Sequence, residues 1–470
     1  MKDDSAHALG LVFEEARRYL PGLPDAPVRS DGIEDAARAF AGQLPEDGIG
    51  TLTAIAQLIE GGRDAHIRAS GPRFFHWVIG GSTPAALAAD WLASLLDQNA
   101  AAWESSPLAF QLEQTSIEWL LDLFELPTHW SGVLTTGATM ANFTALAAAR
   151  QWWGEQHGID VAASGLSRPI PVFSSGFVHV SARKGLAMLG IGRNALRVCA
   201  ADDTGRLDLA ALDRELRKLG APAIVIANAG EVNAGCSDPI AEVADLAAEH
   251  GAWLHVDGAF GLFARVSPRT RAAALGVERA DSVIADGHKW LNVPFDCGFA
   301  FVSERRFLTG TFGIAREAAY LPEIHEERLA PAELGPEMSR RARAFSVWAT
   351  LAAYGRSGHR ALVERNLDHA QRLADRIRAS DDFELLADVP LNIVCFRYRP
   401  PGVFEDSLDD LNLRLGAAVL EDSRVYVGTT RWAGRVAFRP AFVNWRTTEH
   451  DVDLLLDVLA ELGERLHAVV

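Results

Sequence analysis

Cysteine is scarce in this chain. The four present, Cys199, Cys236, Cys297 and Cys395, are scattered over 470 residues, and none stands at a metal-ligand spacing. A disulfide-stapled scaffold and a zinc-type cluster are therefore not expected, and reduced thiols are. Basic runs are missing as well. The net charge is −17 with no strong basic patch, which argues against nucleic acid or an anionic membrane as a partner. No apolar run is long enough to span a bilayer. The acidic start, Met1-Lys2-Asp3-Asp4-Ser5, lacks the apolar core of a secretion signal, so a cytoplasmic location is expected. There is no internal repeat and no low-complexity tract. What remains is a chain that is 49% hydrophobic and 23% charged, a balance suited to a globular protein with one large and one smaller domain.

The pattern divides into three zones. Residues 1–90 mix amphipathic helix with Pro/Gly punctuation (Pro21-Gly22-Leu23-Pro24, Gly71-Pro72) and offer little core of their own. They are expected to form an N-terminal helical arm that packs on a partner subunit. Residues 91–355 alternate short apolar runs with helical stretches. Strands are predicted at Gly132–Thr135, Pro171–Ser174, Ala223–Ala227, Ala252–Val256, Ser282–Ala285 and Gly298–Val302, with helices such as Ala141–Gln156, Leu207–Leu219 and Ile240–His250 between them. Alternation of this kind reads as an α/β domain around a mostly parallel sheet, with ligands beyond the carboxyl ends of its strands. Residues 356–470 read as a small α+β domain: a long helix (His359–Ile377), strands at Asn392–Tyr398, Arg424–Gly428 and Arg435–Arg439, and a closing helix, Glu449–His467.

The chemistry concentrates where predicted strands end. Ser282-Val283-Ile284-Ala285-Asp286-Gly287-His288-Lys289-Trp290 sets a lysine just past an apolar run. A lysine so placed is poorly solvated, and is paired, shifted toward its neutral form or used covalently; the plain alternative is a surface lysine at a strand exit. Upstream, Trp253-Leu254-His255-Val256-Asp257-Gly258-Ala259 delivers a carboxylate from another strand end. An amine on one side and an anion on the other is what pyridoxal phosphate requires. Leu134-Thr135-Thr136-Gly137-Ala138-Thr139 follows a strand and opens a helix. Its small residues and first amides suit a phosphate, although a simple helix start would look the same. Ser174-Ser175-Gly176-Phe177-Val178-His179 places a histidine where it could stack on an aromatic ring or merely cap a helix.

In this order, the pieces resemble the group II pyridoxal-phosphate-dependent decarboxylases, members of the fold-type-I (aspartate aminotransferase-like) superfamily that act on aromatic amino acids, glutamate, histidine, cysteine sulfinate and diaminobutyrate. Further matches are Phe295-Asp296-Cys297-Gly298, Ser339-Arg340-Arg341-Ala342-Arg343 with Trp348, and Val436-Ala437-Phe438-Arg439-Pro440, so that the likeness runs over roughly residues 70 to 465. It implies that Lys289 holds the cofactor as a Schiff base and that Asp257 keeps the pyridine nitrogen protonated. It implies further that His179 stacks on the ring and that Ala138 and Thr139 hold the phosphate, with Ser282 as a weaker candidate. Ala259 belongs to the same cofactor-binding set. His288 is assigned to the phosphate or to the substrate carboxylate side. Tyr320, in a charged loop of no clear period, matches a residue that protonates the substrate carbon after CO2 leaves.

The sequence also departs from that pattern. Gly230 is followed by Glu231-Val232-Asn233 rather than by threonines, so a hydroxyl contact to the cofactor is lost or replaced by Asn233. Asp286 stands where some relatives have asparagine. The aromatic run Arg73-Phe74-Phe75-His76-Trp77 matches the substrate wall, giving Phe75 and Trp77 as candidate contacts, with Arg439 for a substrate carboxylate; core or interface packing is the ordinary fate of such aromatics. The implied activity is decarboxylation of an L-amino acid with an aromatic or apolar side chain, through a quinonoid intermediate, to amine and CO2. An aldehyde synthase, another lyase or an aminotransferase on the same scaffold is the alternative. A homodimer with shared sites is implied, and no metal.

Overall fold

The computed structural model describes residues 3–202, 204–313 and 329–467. Two compact units make up the chain. The larger comprises Gly80–Gln371 with Ala387–Val394, and the smaller Met1–Ile79, Arg372–Leu386 and Cys395–Val470.

The larger unit is built on a seven-stranded sheet: β1 (Ser131–Thr135), β2 (Val172–Ser174), β3 (Leu196–Val198), β4 (Ile224–Asn228), β5 (Trp253–Asp257), β6 (Ser282–Asp286) and β7 (Gly298–Val302), in the spatial order β1-β7-β6-β5-β4-β2-β3. β7 pairs antiparallel with both β1 and β6, while the pairs from β6 through to β3 are parallel. Only β7 therefore runs against the rest. The carboxyl ends of β1, β2, β5 and β6 consequently open on one edge of the sheet, the edge where such sheets bind ligands.

The residue types explain these elements. β4, β5, β6 and β7 are buried along their whole length, as strands covered on both faces must be, and they read as continuous apolar runs. β3 was not expected. It is an edge strand whose Arg197 and Val198 are exposed, so it lacks the unbroken apolar run that marks the others. The helix Ala138–Gln156 buries Ala141, Ala145, Ala147, Ala148 and Ala149. Side chains that small let a helix lie close on a sheet.

The smaller unit carries an antiparallel sheet of β8 (Phe383–Leu385), β9 (Phe396–Tyr398), β10 (Thr429–Trp432) and β11 (Arg435–Phe438) in the order β10-β11-β9-β8, with helices Glu405–Asp422 and Glu449–His467. One expectation is corrected here. Within Arg424–Gly428 only Tyr426 bridges, to Phe74, because the Tyr426 backbone is taken by Arg73 and Phe75; the strand proper starts at Thr429. The helix expected at His359–Ile377 is present as the second part of Ala344–Arg378, which is broken at Gly355, whose φ of 59° is left-handed. Among the described residues no helix is long and apolar enough to cross a membrane.

Candidate active site

At the carboxyl end of β6 the chain turns through Gly287 and His288 into Lys289. This turn is held from several sides. The Trp290 side chain is fully buried and its Nε1 donates to Asn366 Oδ1 at 2.9 Å. Gly80 N–H donates to His288 O at 3.1 Å, and a Cβ at position 80 would sit 2.0 Å from the Lys289 carbonyl oxygen. Only glycine permits that approach. The Lys289 side chain is 16% exposed and its Nζ lies 3.3 Å from Asp286 Oδ2. It also stands 5.9 Å from the centroid of the Phe260 ring. It is thus the paired lysine of the alternatives above, and it leans toward the end of β5.

That end carries Asp257. In the parallel register Asp257 lies opposite Ile284 of β6, so β6 continues two residues further to Asp286 on the same edge. The Asp257 carboxylate is buried and accepts from Asn142 Nδ2 at 3.0 Å and from the Ala259 amide at 3.2 Å. The Ala259 carbonyl in turn accepts from the Asp286 amide at 2.9 Å, which ties the two strand ends together.

β1 leads into Gly137, where φ is 145° and a Cβ would lie 3.0 Å from His288 Cε1. The helix then opens at Ala138, with Thr139 half-buried in its first turn. The Ala138 amide donates to Asp286 Oδ1 at 2.5 Å. A carboxylate therefore sits on a helix N-terminus where an anion is favoured. His288 stacks on Phe295 with ring centroids 4.3 Å apart and accepts from the Cys297 amide at 3.4 Å. Burial holds its imidazole below the usual range, with Asp286 pulling partly the other way. After β2, His179 caps the helix Val180–Met188, its Nδ1 accepting from the Ser181 amide at 3.2 Å and lying 2.7 Å from Ser181 Oγ.

Lys289, Asp257, His288, Ala138, Thr139, Ala259 and His179 thus belong to segments leaving the same sheet edge. Ser282 does not. It opens β6 at the opposite end, and its buried hydroxyl is engaged by Trp253 Nε1 at 3.0 Å and His255 Nδ1 at 2.9 Å; its place as the first residue of a strand gave no hint of that. Asn233 bonds to Glu231, whose carboxylate also accepts the Asn233 and Ala234 amides at 2.9 Å. Phe75, Trp77 and Arg439 lie in the smaller unit. Phe75 is buried edge-on against Phe442, at 5.3 Å between centroids, which makes it a core residue. Trp77 is 58% exposed with a left-handed φ of 57°. Arg439 is buried, and its charge, after burial itself, helps hold His76 down to about 4. Tyr320 lies outside the described residues.

Residues 58–399 match the pyridoxal-dependent decarboxylase conserved domain. The chain belongs to the pyridoxal-dependent decarboxylase family. It is 33% identical over 440 residues to an L-2,4-diaminobutyrate decarboxylase of Rhizobium meliloti (strain 1021), covering 90% of this chain and 84% of that one. It is 30% identical over 401 residues to an aromatic-L-amino-acid decarboxylase of Bacillus atrophaeus, covering 84% and 82%. The fold superposes on the Oryza sativa TDC crystallised with PLP and tryptamine with a TM-score of 0.91, at 24% identity over 99% of both chains. The protein is thus a pyridoxal-phosphate-dependent carboxy-lyase of fold type I, acting on an amino acid.

The residues present fit that cofactor. An amine and an anchored carboxylate leave adjacent strands, and a glycine-floored helix start stands beside them. Sequence reasoning missed three supporting residues: Gly80, Asn142 and Ser181. For Asn142 a signal existed. A polar side chain on the buried, alanine-rich face of a helix must have polar partners.

Proposed function

We propose that this decarboxylase acts on an L-amino acid with an aromatic or apolar side chain and releases the amine and CO2. The observation that carries the catalytic part is the shared sheet edge: Lys289 and Asp257 leave neighbouring parallel strands, with Ala138 at a helix start and His179 on the same edge. When bound, pyridoxal 5′-phosphate supplies a ring that takes up the electron pair left at the substrate carbon as the carboxylate departs. Lys289 holds the cofactor through its amine. Asp257 keeps a proton on the ring nitrogen, a carboxylate being the group that stabilises a cation there. His179 covers the ring face. The Ala138 amide and Thr139 hold the phosphate, with His288 alongside. Tyr320 returns a proton to the substrate carbon.

The side-chain preference rests on Trp77. An exposed indole on a left-handed backbone, followed by Val78 at a φ of 59°, is a strained arrangement of the kind kept at functional sites. Arg439 binds the substrate carboxylate. The location is cytoplasmic; Cys199, Cys236 and Cys297 are buried free thiols, which suits a reducing compartment. The assembly is a homodimer. Helices Ser5–Gly22 and Thr51–Gly62 contain no buried residue yet carry Leu9, Phe13, Leu52 and Leu58 exposed, an apolar surface that a second copy would cover.

A panel of L-amino acids, with CO2, amine and aldehyde measured together, tests the proposal. Turnover of aromatic acids to amine with one CO2 each is expected. Turnover confined to diaminobutyrate or to acidic side chains overturns the preference, and aldehyde as the main product overturns the outcome. In solution the mass should be twice the 50.9 kDa of one chain.

A further inference from the structure

Behind the groups that face the cofactor lies a set of polar side chains that the proposal above leaves without a task. Asn142, one turn into the helix Ala138–Gln156, is 0% exposed. Its Nδ2 donates to Asp257 Oδ2 at 3.0 Å and to Ser181 Oγ at 3.1 Å, and its Oδ1 lies 2.7 Å from His255 Nε2. The direction of every proton in this set follows from one fact: an ionised carboxylate only accepts. The amide N–H groups of Asn142 must therefore face Asp257, and its carbonyl must face His255. His255 then carries its proton on Nε2, and its Nδ1 accepts from the Ser282 hydroxyl at 2.9 Å. Ser282 Oγ accepts in turn from Trp253 Nε1 at 3.0 Å.

The other N–H of Asn142 points at Ser181 Oγ, so the Ser181 proton is free to go to His179 Nδ1, 2.7 Å away. The Ser181 backbone N–H, which can only donate, reaches the same nitrogen at 3.2 Å. A ring nitrogen that accepts holds no proton. The proton of neutral His179 is thereby fixed on Nε2, the far side of the ring from the helix.

We infer that Asn142 is a positioning residue that sets two cofactor-facing groups at once: it anchors the Asp257 carboxylate directly and, through Ser181, fixes the proton-bearing edge of His179. This rests on the roles proposed for Asp257 and His179. Two N–H groups on one planar amide hold the two groups at a fixed separation, with the plane locked from behind by His255. A hydrophobic residue of the same size would leave a buried carboxylate short of a donor, which is costly.

The test uses the apo-protein titrated with pyridoxal 5′-phosphate, the visible band of the bound cofactor, and thermal unfolding without cofactor. Asn142→Asp is nearly isosteric but turns a donor into an acceptor against Asp257. It should weaken cofactor binding about 10- to 100-fold, displace the visible band, and lower kcat at least as much as it alters KM. Wild-type affinity and an unmoved band would mean that the Asn142 donors do not set Asp257, and overturn the inference. Asn142→Asp combined with Asp257→Asn restores a donor–acceptor pair with reversed polarity. That double variant should regain the apo melting temperature without regaining the band; recovery of both overturns it. Ser181→Ala keeps the backbone donor to His179 and, with one neutral hydrogen bond lost, should lower kcat about threefold to tenfold with an unchanged melting temperature; no change in kcat or band removes the His179 arm. Asp257→Ala and His179→Ala run in parallel. If they too bind cofactor as the wild type does, the proposed roles of those two residues fail; if they bind weakly while Asn142→Asp binds normally, the positioning role alone fails.

Discussion

Two buried polar clusters of the larger unit lead to opposite ends. Arg340 and Glu113, 1% and 2% exposed, form a bidentate pair at 2.7 and 3.0 Å. The guanidinium also donates to the carbonyls of Ala100 and Leu134, at 2.9 and 2.8 Å, and Glu113 accepts from the Leu134 amide at 3.1 Å. Every one of these bonds returns to the protein. The Asn142 cluster begins just as deep, but its chain of donors and acceptors runs outward to His179, which is exposed, and to Asp257 at the strand edge beside the Lys289 turn. A closed cluster fixes backbone. An open one presents groups of defined protonation to whatever binds. The difference teaches where to look for chemistry among buried polar residues: at networks that reach a surface.

The largest effect should come from the open side. Lys289→Ala removes the amine that holds the cofactor, and is expected to abolish both the visible band of the bound cofactor and decarboxylation, while the apo melting temperature stays within a few degrees of wild type. Substantial turnover by that variant would break the distinction at its root. The closed side predicts the converse. Arg340→Met leaves Glu113 buried and uncompensated, which costs about 3–5 kcal/mol, read as an early urea or thermal transition. Adding Glu113→Leu should recover most of that loss. If Arg340→Met unfolds like the wild type, the pair is not the clamp its geometry describes.

Acid sharpens the contrast further. Burial lowers His255 to about 4, with Asp257 pulling partly the other way. The unfolded imidazole takes its proton near 6.5, so between pH 6.5 and 4 the unfolded chain binds more protons than the folded one. Stability is then lost as pH falls through that window, by at most about 1.4 kcal/mol per unit. Asp238 and Asp281, each pushed up to about 6 chiefly by burial, act in the opposite sense. The folded chain takes up their protons first, and stability is gained as pH falls from 6 toward 3.8. The share of His255 is therefore read as a difference: His255→Asn should lose stability less steeply than wild type from pH 6.5 to 4. Parallel slopes would mean that His255 is not held neutral by its place behind Asn142.

Much of this was legible in the sequence, for a physical reason. A strand buried on both faces must be continuously apolar, and a helix start that meets an anion must be small. The strand that ends in Asp257, the strand that leads to Lys289, and the turn at Gly137 therefore stand out in one dimension. What did not stand out depends on partners distant in sequence. Ser282 looks like any serine opening a strand until Trp253 and His255 close on it, and Phe75 reads as a pocket wall until Phe442 packs on its edge. The β3 edge strand lacks an apolar run, and the Tyr426 segment spends its backbone on Arg73 and Phe75. Gly80 shows nothing of the Lys289 carbonyl that forbids it a side chain.

The smallest expected effect concerns the point where the open cluster meets an anion. Asp286 accepts from the Ala138 amide at 2.5 Å and lies 3.3 Å from Lys289 Nζ, so a fixed negative charge shares the helix start proposed to hold the phosphate. Two anions at one N-terminus repel, and even in a high effective dielectric a charge a few ångströms away is worth about 1 kcal/mol or more. Asparagine keeps an oxygen for the Ala138 amide and removes the charge. Asp286→Asn should therefore tighten cofactor binding to the apo-protein by about tenfold, and the gain should shrink as ionic strength rises only as far as the site admits solvent ions. Titration of both apo-proteins at two salt concentrations measures it. Weaker binding by the variant would mean that the carboxylate organises Lys289 and His288 more than it opposes the phosphate, and would place Asp286 with the groups that build the cofactor site.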